Sequence, residues 1–166
     1  MSLKNSIRIK QNHALFDYVL TQRPDHAEIT IQFFTPFFTT KSLPQTITIL
    51  ESFIPRIFQH KCFNNYHRSF KAEAKETELG HLFEHIMLEF LCKMKYDTKQ
   101  YSKVKLKGLT EWDWMQDPKG IFHISLNTTI EDSTLLAEAS NQTSKVMESI
   151  LLSQSTLTSH QNPLFI

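Results

Sequence analysis

The chain has 166 residues, 40% hydrophobic and 21% charged, with a formal net charge of +1. This is the composition of one globular domain, and a charge so near balance supplies no global field to recruit nucleic acid or an acidic membrane. Three glycines exclude a Gly-rich phosphate loop, and two cysteines exclude a disulfide framework and point to a reducing, cytoplasmic setting.

Lys4, Arg8, Lys10 and Asp17 interrupt the start of the chain, so no ordinary signal peptide is expected there. No segment reaches the roughly 20 apolar residues of a membrane span. Ile7 and Ile9 alternate with polar residues over Ser6–Gln11, and Ile29, Ile31 and Phe33 do so over Ala27–Thr35. Both stretches read as strands. The aromatic run from Phe33 to Phe38 reads as core with a turn at Pro36, or as a contact surface. Helical spacing begins near Ser42 and runs through Ile47, Leu50, Ile54, Ile57 and Phe58, with a break expected at Pro55. Asn64-Asn65 reads as a loop.

The clearest helix spans about Thr77 to Lys95, with Thr77 as its expected N-cap. Leu79, Leu82, Phe83, Ile86, Phe90 and Met94 belong to its apolar stripe. Strands are expected over Tyr101–Trp114 and Gly120–Asn127, joined through the turn Asp117-Pro118-Lys119-Gly120. A last helix covers about Glu131 to Leu152, and residues 153–166 read as a loose tail on a single domain spanning 1–152. Strands grouped around helices in this way predict an α+β fold, a mainly antiparallel sheet with helices packed on one face.

One pattern on the central helix carries chemistry. His81-Leu82-Phe83-Glu84-His85 is an H-x-x-E-H sequence. Residues four apart on a helix lie one above the other, so the two imidazoles can grip one ion. Glu84, beside them, can act as a general base in metal-assisted hydrolysis. At about 100° per residue, both histidines point nearly opposite the centre of the apolar stripe. They lie either on a solvated face or in a cleft beneath a second layer.

A catalytic zinc usually takes three protein ligands. Glu111, Asp113, Asp117, Glu131 and Glu138 are candidates for the third. Glu89 lies about 12 Å along the helix from His81, too far to share an ion, and is expected to orient a histidine instead. Cys62 and Cys92 are candidate soft ligands, with buried thiols as the simpler reading. The alternating acids and aromatics of Glu111-Trp112-Asp113-Trp114 could line a substrate groove or form a solvated edge. Aromatics do not interleave with basic residues, so nucleic-acid binding is not expected.

The segment from Glu78 to Glu89 resembles the G-H-x-x-E-H-x-x-L-E signature of the N-terminal domain of cyanophycin synthetases. Ile54-Pro55-Arg56-Ile57-Phe58-Gln59-His60-Lys61-Cys62 resembles that domain's L-P-x-L-x-x-H-x-C segment, and Ile7–Asn12 its opening strand. Gly108-Leu109-Thr110 and Gly120-Ile121-Phe122 fall where the family has G-R-T and P-G-x-Y. The synthetases polymerise aspartate and arginine with ATP-grasp and ligase modules, which a chain of this length does not hold. The resemblance implies instead a zinc hydrolase site that trims polymer, with His81 and His85 as ligands, Glu84 as base and Glu111 as the preferred third ligand. The family's Gly-Gly loop is here Phe63–His67, and its Arg is Leu109; both departures bear on substrate. The expectation is one zinc per chain and a peptide or amide-polymer substrate. The alternative is a non-catalytic polymer-, peptide- or partner-binding module with a vestigial motif.

Overall fold

The computed structural model describes residues 6–62, 69–98 and 105–158. Five strands, β1 (Ile7–Asn12), β2 (Phe16–Gln22), β3 (Ala27–Phe33), β4 (Gly108–Glu111) and β5 (Ile121–Leu126), form one antiparallel sheet of order β1-β2-β3-β5-β4. The helices are α1 (Thr46–Phe53), α2 (Phe70–Glu73), α3 (Leu79–Asp97) and α4 (Ser133–Thr158). The fold is α+β, as expected.

Strand alternation decides which face the helices cover. Tyr18, Ile31 and Phe122 share one row of the sheet and are buried, whereas Thr30 and His123 from the neighbouring row are exposed. The apolar stripe of α3 covers the buried face: Phe83 packs on Tyr18 with ring centroids 5.4 Å apart. Fully burying side chains of this size stabilises the fold by about 1.5–3 kcal/mol each. The helix α4 packs against α3. Where these helices converge, Lys95 Nζ donates to both Asp132 carboxylate oxygens, at 2.9 and 3.0 Å. Asp132 also completes a capping box with Thr129.

Four elements differ from expectation. The strand β2 was not anticipated, because Val19 on the outer face blurs the alternation of Phe16, Tyr18 and Leu20. The helix expected from Ser42 starts at Thr46 and yields to a 3-10 turn, Pro55–Gln59, since Pro55 cannot donate to the helical ladder. Within the expected strand Tyr101–Trp114, β4 keeps only Gly108–Glu111; residues 101–104 lie outside the described residues. The last helix continues to Thr158 rather than ending at Leu152. Asn64-Asn65, the Phe63–His67 departure and residues 159–166 also lie outside the described residues. Among the described residues, no helix is long and apolar enough to cross a membrane.

Candidate metal centre

The helix α3 places His81 and His85 on the side turned away from its apolar stripe, and that side is covered. The chain leaves α1 through the Pro55–Gln59 turn, runs through His60-Lys61-Cys62, and returns through a bridge between Lys61 and Ser69 into α2. Phe70 of α2 is fully buried and stacks on the His85 ring at 3.9 Å. His85 is itself buried and His81 half-buried. Of the two placements open from sequence, the cleft beneath a second layer is the one found.

Within that cleft three donor atoms converge. His81 Nε2 lies 3.1 Å from His85 Nε2 and 3.5 Å from Cys62 Sγ. Cys62, His81 and His85 form one cluster in which every candidate ligand atom lies within 4.8 Å of the others. Two nitrogens on a tetrahedral zinc are separated by about 3.3 Å, and a nitrogen and a sulfur by about 3.6 Å, from bond lengths near 2.05 and 2.3 Å. The observed separations match both values, so the donor set fits the expected metal.

The nitrogens turned away from Cys62 also have partners. His81 Nδ1 is 2.9 Å from Thr77 Oγ1, and His85 Nδ1 is 3.1 Å from His60 Nδ1. His60 Nε2 is 2.8 Å from Glu89 Oε2. In one consistent tautomer set, His81 donates to Thr77, His85 donates to His60, and His60 donates to the buried Glu89 carboxylate. Both Nε2 lone pairs then face Cys62. Buried histidines that hold metals are usually oriented in this way through the opposite ring nitrogen. Thr77, expected to cap α3, thus spends its hydroxyl on His81; Glu78 is the N-cap and makes no side-chain cap bond.

The electrostatics keep both imidazoles neutral. Burial pushes the His85 pKa down to about 2, assisted by the neighbouring His81 and His60. Burial also lowers that of His81, against an opposing pull from Glu73 and Glu78. A neutral imidazole is the form that binds a metal. Glu84 points elsewhere on the helix, towards β4, where its Oε2 accepts a 2.5 Å hydrogen bond from Thr110 Oγ1. Burial raises its pKa to about 7, with the Thr110 hydroxyl opposing the shift. A carboxyl group in that range can both take and return a proton near neutrality. Gly108 makes room for it, since a Cβ there would lie 2.4 Å from Glu84 Oε1.

Glu89 bonds to His60 and is joined to His85 through that residue. Glu111 does not join the cluster. Gly108 and Thr110 face Glu84, so alternation turns Glu111 to the opposite face of the sheet, where it is exposed and paired in register with His123. Asp113 accepts bonds from Met115 and Gln116 in a turn, Asp117 meets His123 at 2.8 Å, and Glu138 meets Gln142 on α4. Glu131 follows the capping residue Thr129 and is exposed. The third donor beside the histidines is Cys62, and Cys92 is exposed elsewhere on α3. His60, which joins His85 to Glu89, is a residue that the spacing of the helix motif does not reveal. Its only signal was the H-x-C spacing that it shares with Cys62.

The chain matches the model of the cyanophycin synthase-like N-terminal domain family over residues 28–151, from β3 into α4. The match includes every residue of the cluster and its hydrogen-bonded supports. No curated protein and no solved structure matches the chain.

Proposed function

The chain belongs to the cyanophycin synthase-like N-terminal domain family, and from that premise we propose that it is a zinc-dependent hydrolase of peptide or amide bonds. The observation that carries this reading is the convergence of Cys62 Sγ, His81 Nε2 and His85 Nε2 at coordination distances. In this reading those three residues would hold one zinc. An ion held there would supply Lewis acidity for amide hydrolysis. His60 and Glu89 hold the His85 ring in its binding tautomer, and Thr77 does the same for His81. Glu84 takes the proton of the attacking water and delivers it to the leaving nitrogen. The covering layer of Phe70 and the Pro55–Gln59 turn limits water around the two imidazoles.

The test begins with metal analysis of protein purified without an affinity tag, beside Cys62→Ala and His81→Ala variants. About one zinc per chain, lost in both variants, is expected. Glu84→Gln should retain the zinc and abolish cleavage of a peptide mixture. Metal-free wild-type protein that takes up no zinc on titration would overturn the reading. That result would favour the alternative, a non-catalytic module that binds peptide or polymer through exposed aromatic residues such as Phe34 and Trp112.

A further inference from the structure

Among the described residues the strand β4 ends the sheet, and α3 packs against it. We propose that the outer edge of β4 is the substrate-binding strand, and that its substrate is an extended peptide paired to it as a sixth strand. The proposal rests on the hydrolase reading and deepens it by naming the substrate's conformation and the backbone groups that hold it.

Two ladders fix which main-chain groups of β4 point away from β5. Phe33 N–H donates to Gly120 O at 2.9 Å, which starts the β3 ladder on β5. Alternation then directs the main-chain groups of Phe122, Ile124 and Leu126 towards β3, opposite Ile31, Ile29 and Ala27. The intervening His123, Ser125 and Asn127 turn theirs towards β4. Asn127 N–H duly donates to Lys107 O at 3.1 Å. It follows that Leu109 and Glu111 bond to β5 opposite Ser125 and His123. Gly108 and Thr110 therefore direct their N–H and C=O groups to the outer edge. Among the described residues, no strand pairs with that edge.

The wheel of α3 shows what lies beyond it. Gly80 faces β5 so closely that a Cβ would meet Phe122 Cγ at 2.4 Å. Glu84, rotated by about 40° from Gly80, faces Gly108 and Thr110 of the next strand. His81 lies about 60° further in the same sense. The order around the helix is thus β5, β4, then the imidazoles. A strand laid along β4 at about 4.8 Å would occupy the sector between Glu84 and His81. An amide in that strand would lie between the carboxyl group that moves protons and the residues that hold the ion. A free edge supplies main-chain donors and acceptors in strand register, which is the chemistry that selects an extended peptide over a globular or a small-molecule ligand.

The test uses the full chain loaded with zinc and two probes: acetohydroxamate, and the same hydroxamate at the C-terminus of an alanine tetrapeptide. Affinity is read by calorimetry and amide exchange by NMR. The tail should tighten binding by about tenfold or more. It should also slow exchange of the Gly108 and Thr110 amides, leaving those of Leu109 and Glu111, already in the ladder, unchanged. N-methylation along the tail should abolish the gain at alternate positions only. A tail that adds no affinity, or that binds without protecting Gly108 and Thr110, overturns the proposal while leaving the metal centre intact. Failure of acetohydroxamate itself to bind overturns the metal reading, and the strand proposal falls with it.

Discussion

His60 and His85 face each other through their Nδ1 atoms at 3.1 Å, and Glu89 closes on the far side of His60 at 2.8 Å. His85 therefore has its Nε2 committed to the cluster and its ring orientation set by a residue from another element. His60→Ala and Glu89→Gln should each weaken zinc affinity by about 10- to 100-fold, as loss of such supports does in metal sites. The cobalt-loaded proteins should show altered ligand-field spectra, which a purely structural role would not produce. Competition titration with a chromophoric chelator measures the affinity. Unchanged affinity and spectrum in both variants would remove His60 from the site.

Gly108 and Glu84 are in steric register. An alanine at 108 would place its Cβ 2.4 Å from Glu84 Oε1 and 2.6 Å from both Cδ and Cγ. Overpacking of this kind costs about 1–3 kcal/mol. Gly108→Ala should lose that much stability in chemical denaturation. It should keep its zinc and fall to the cleavage rate of Glu84→Gln, because the carboxyl group is displaced while the ligands are not. Thr110→Val, which removes only the hydroxyl, should keep the space and raise the Glu84 pKa further.

The pH dependence of the zinc-free protein follows from two opposite shifts. His85 has a folded pKa near 2, below its ordinary 6.5. Below pH about 6.5 the unfolded chain takes up a proton that the folded protein does not, so stability falls on acidification. Glu84 has a folded pKa near 7, above its ordinary 4.5. Between those values the folded protein holds a proton that the unfolded chain has released, so stability also falls as the pH rises. At pH 8 this costs up to about 3 kcal/mol. Melting curves of the zinc-free protein across this range should show Glu84→Gln gaining stability over wild type at pH 8 and none at pH 4. An equal gain at both would mean that the carboxyl group is not shifted.

The H-x-x-E-H spacing was enough to set two imidazoles on one side of a helix, because helical geometry is local. The same holds for β3 and β5 as strands, where alternation is clean, while their pairing is a contact between distant segments. The second strand was hidden, since Val19 on the outer face makes the local pattern read as continuous. Its place comes from the register Tyr18↔Ile31, a contact between separate segments.

By itself, then, the sequence determined the α+β class, the central helix, the histidine pair and the spacing of Glu89 from His81 along that helix. Only the tertiary structure decided which further donor atom lies beside the two histidines. Glu111 and Cys62 were both plausible in composition. One is turned to the outer face by the parity of β4, and the other is carried across α3 by the Pro55–Gln59 turn and the return into α2. Parity depends on register, and a bridge across a helix depends on packing, and neither is encoded by spacing along the chain.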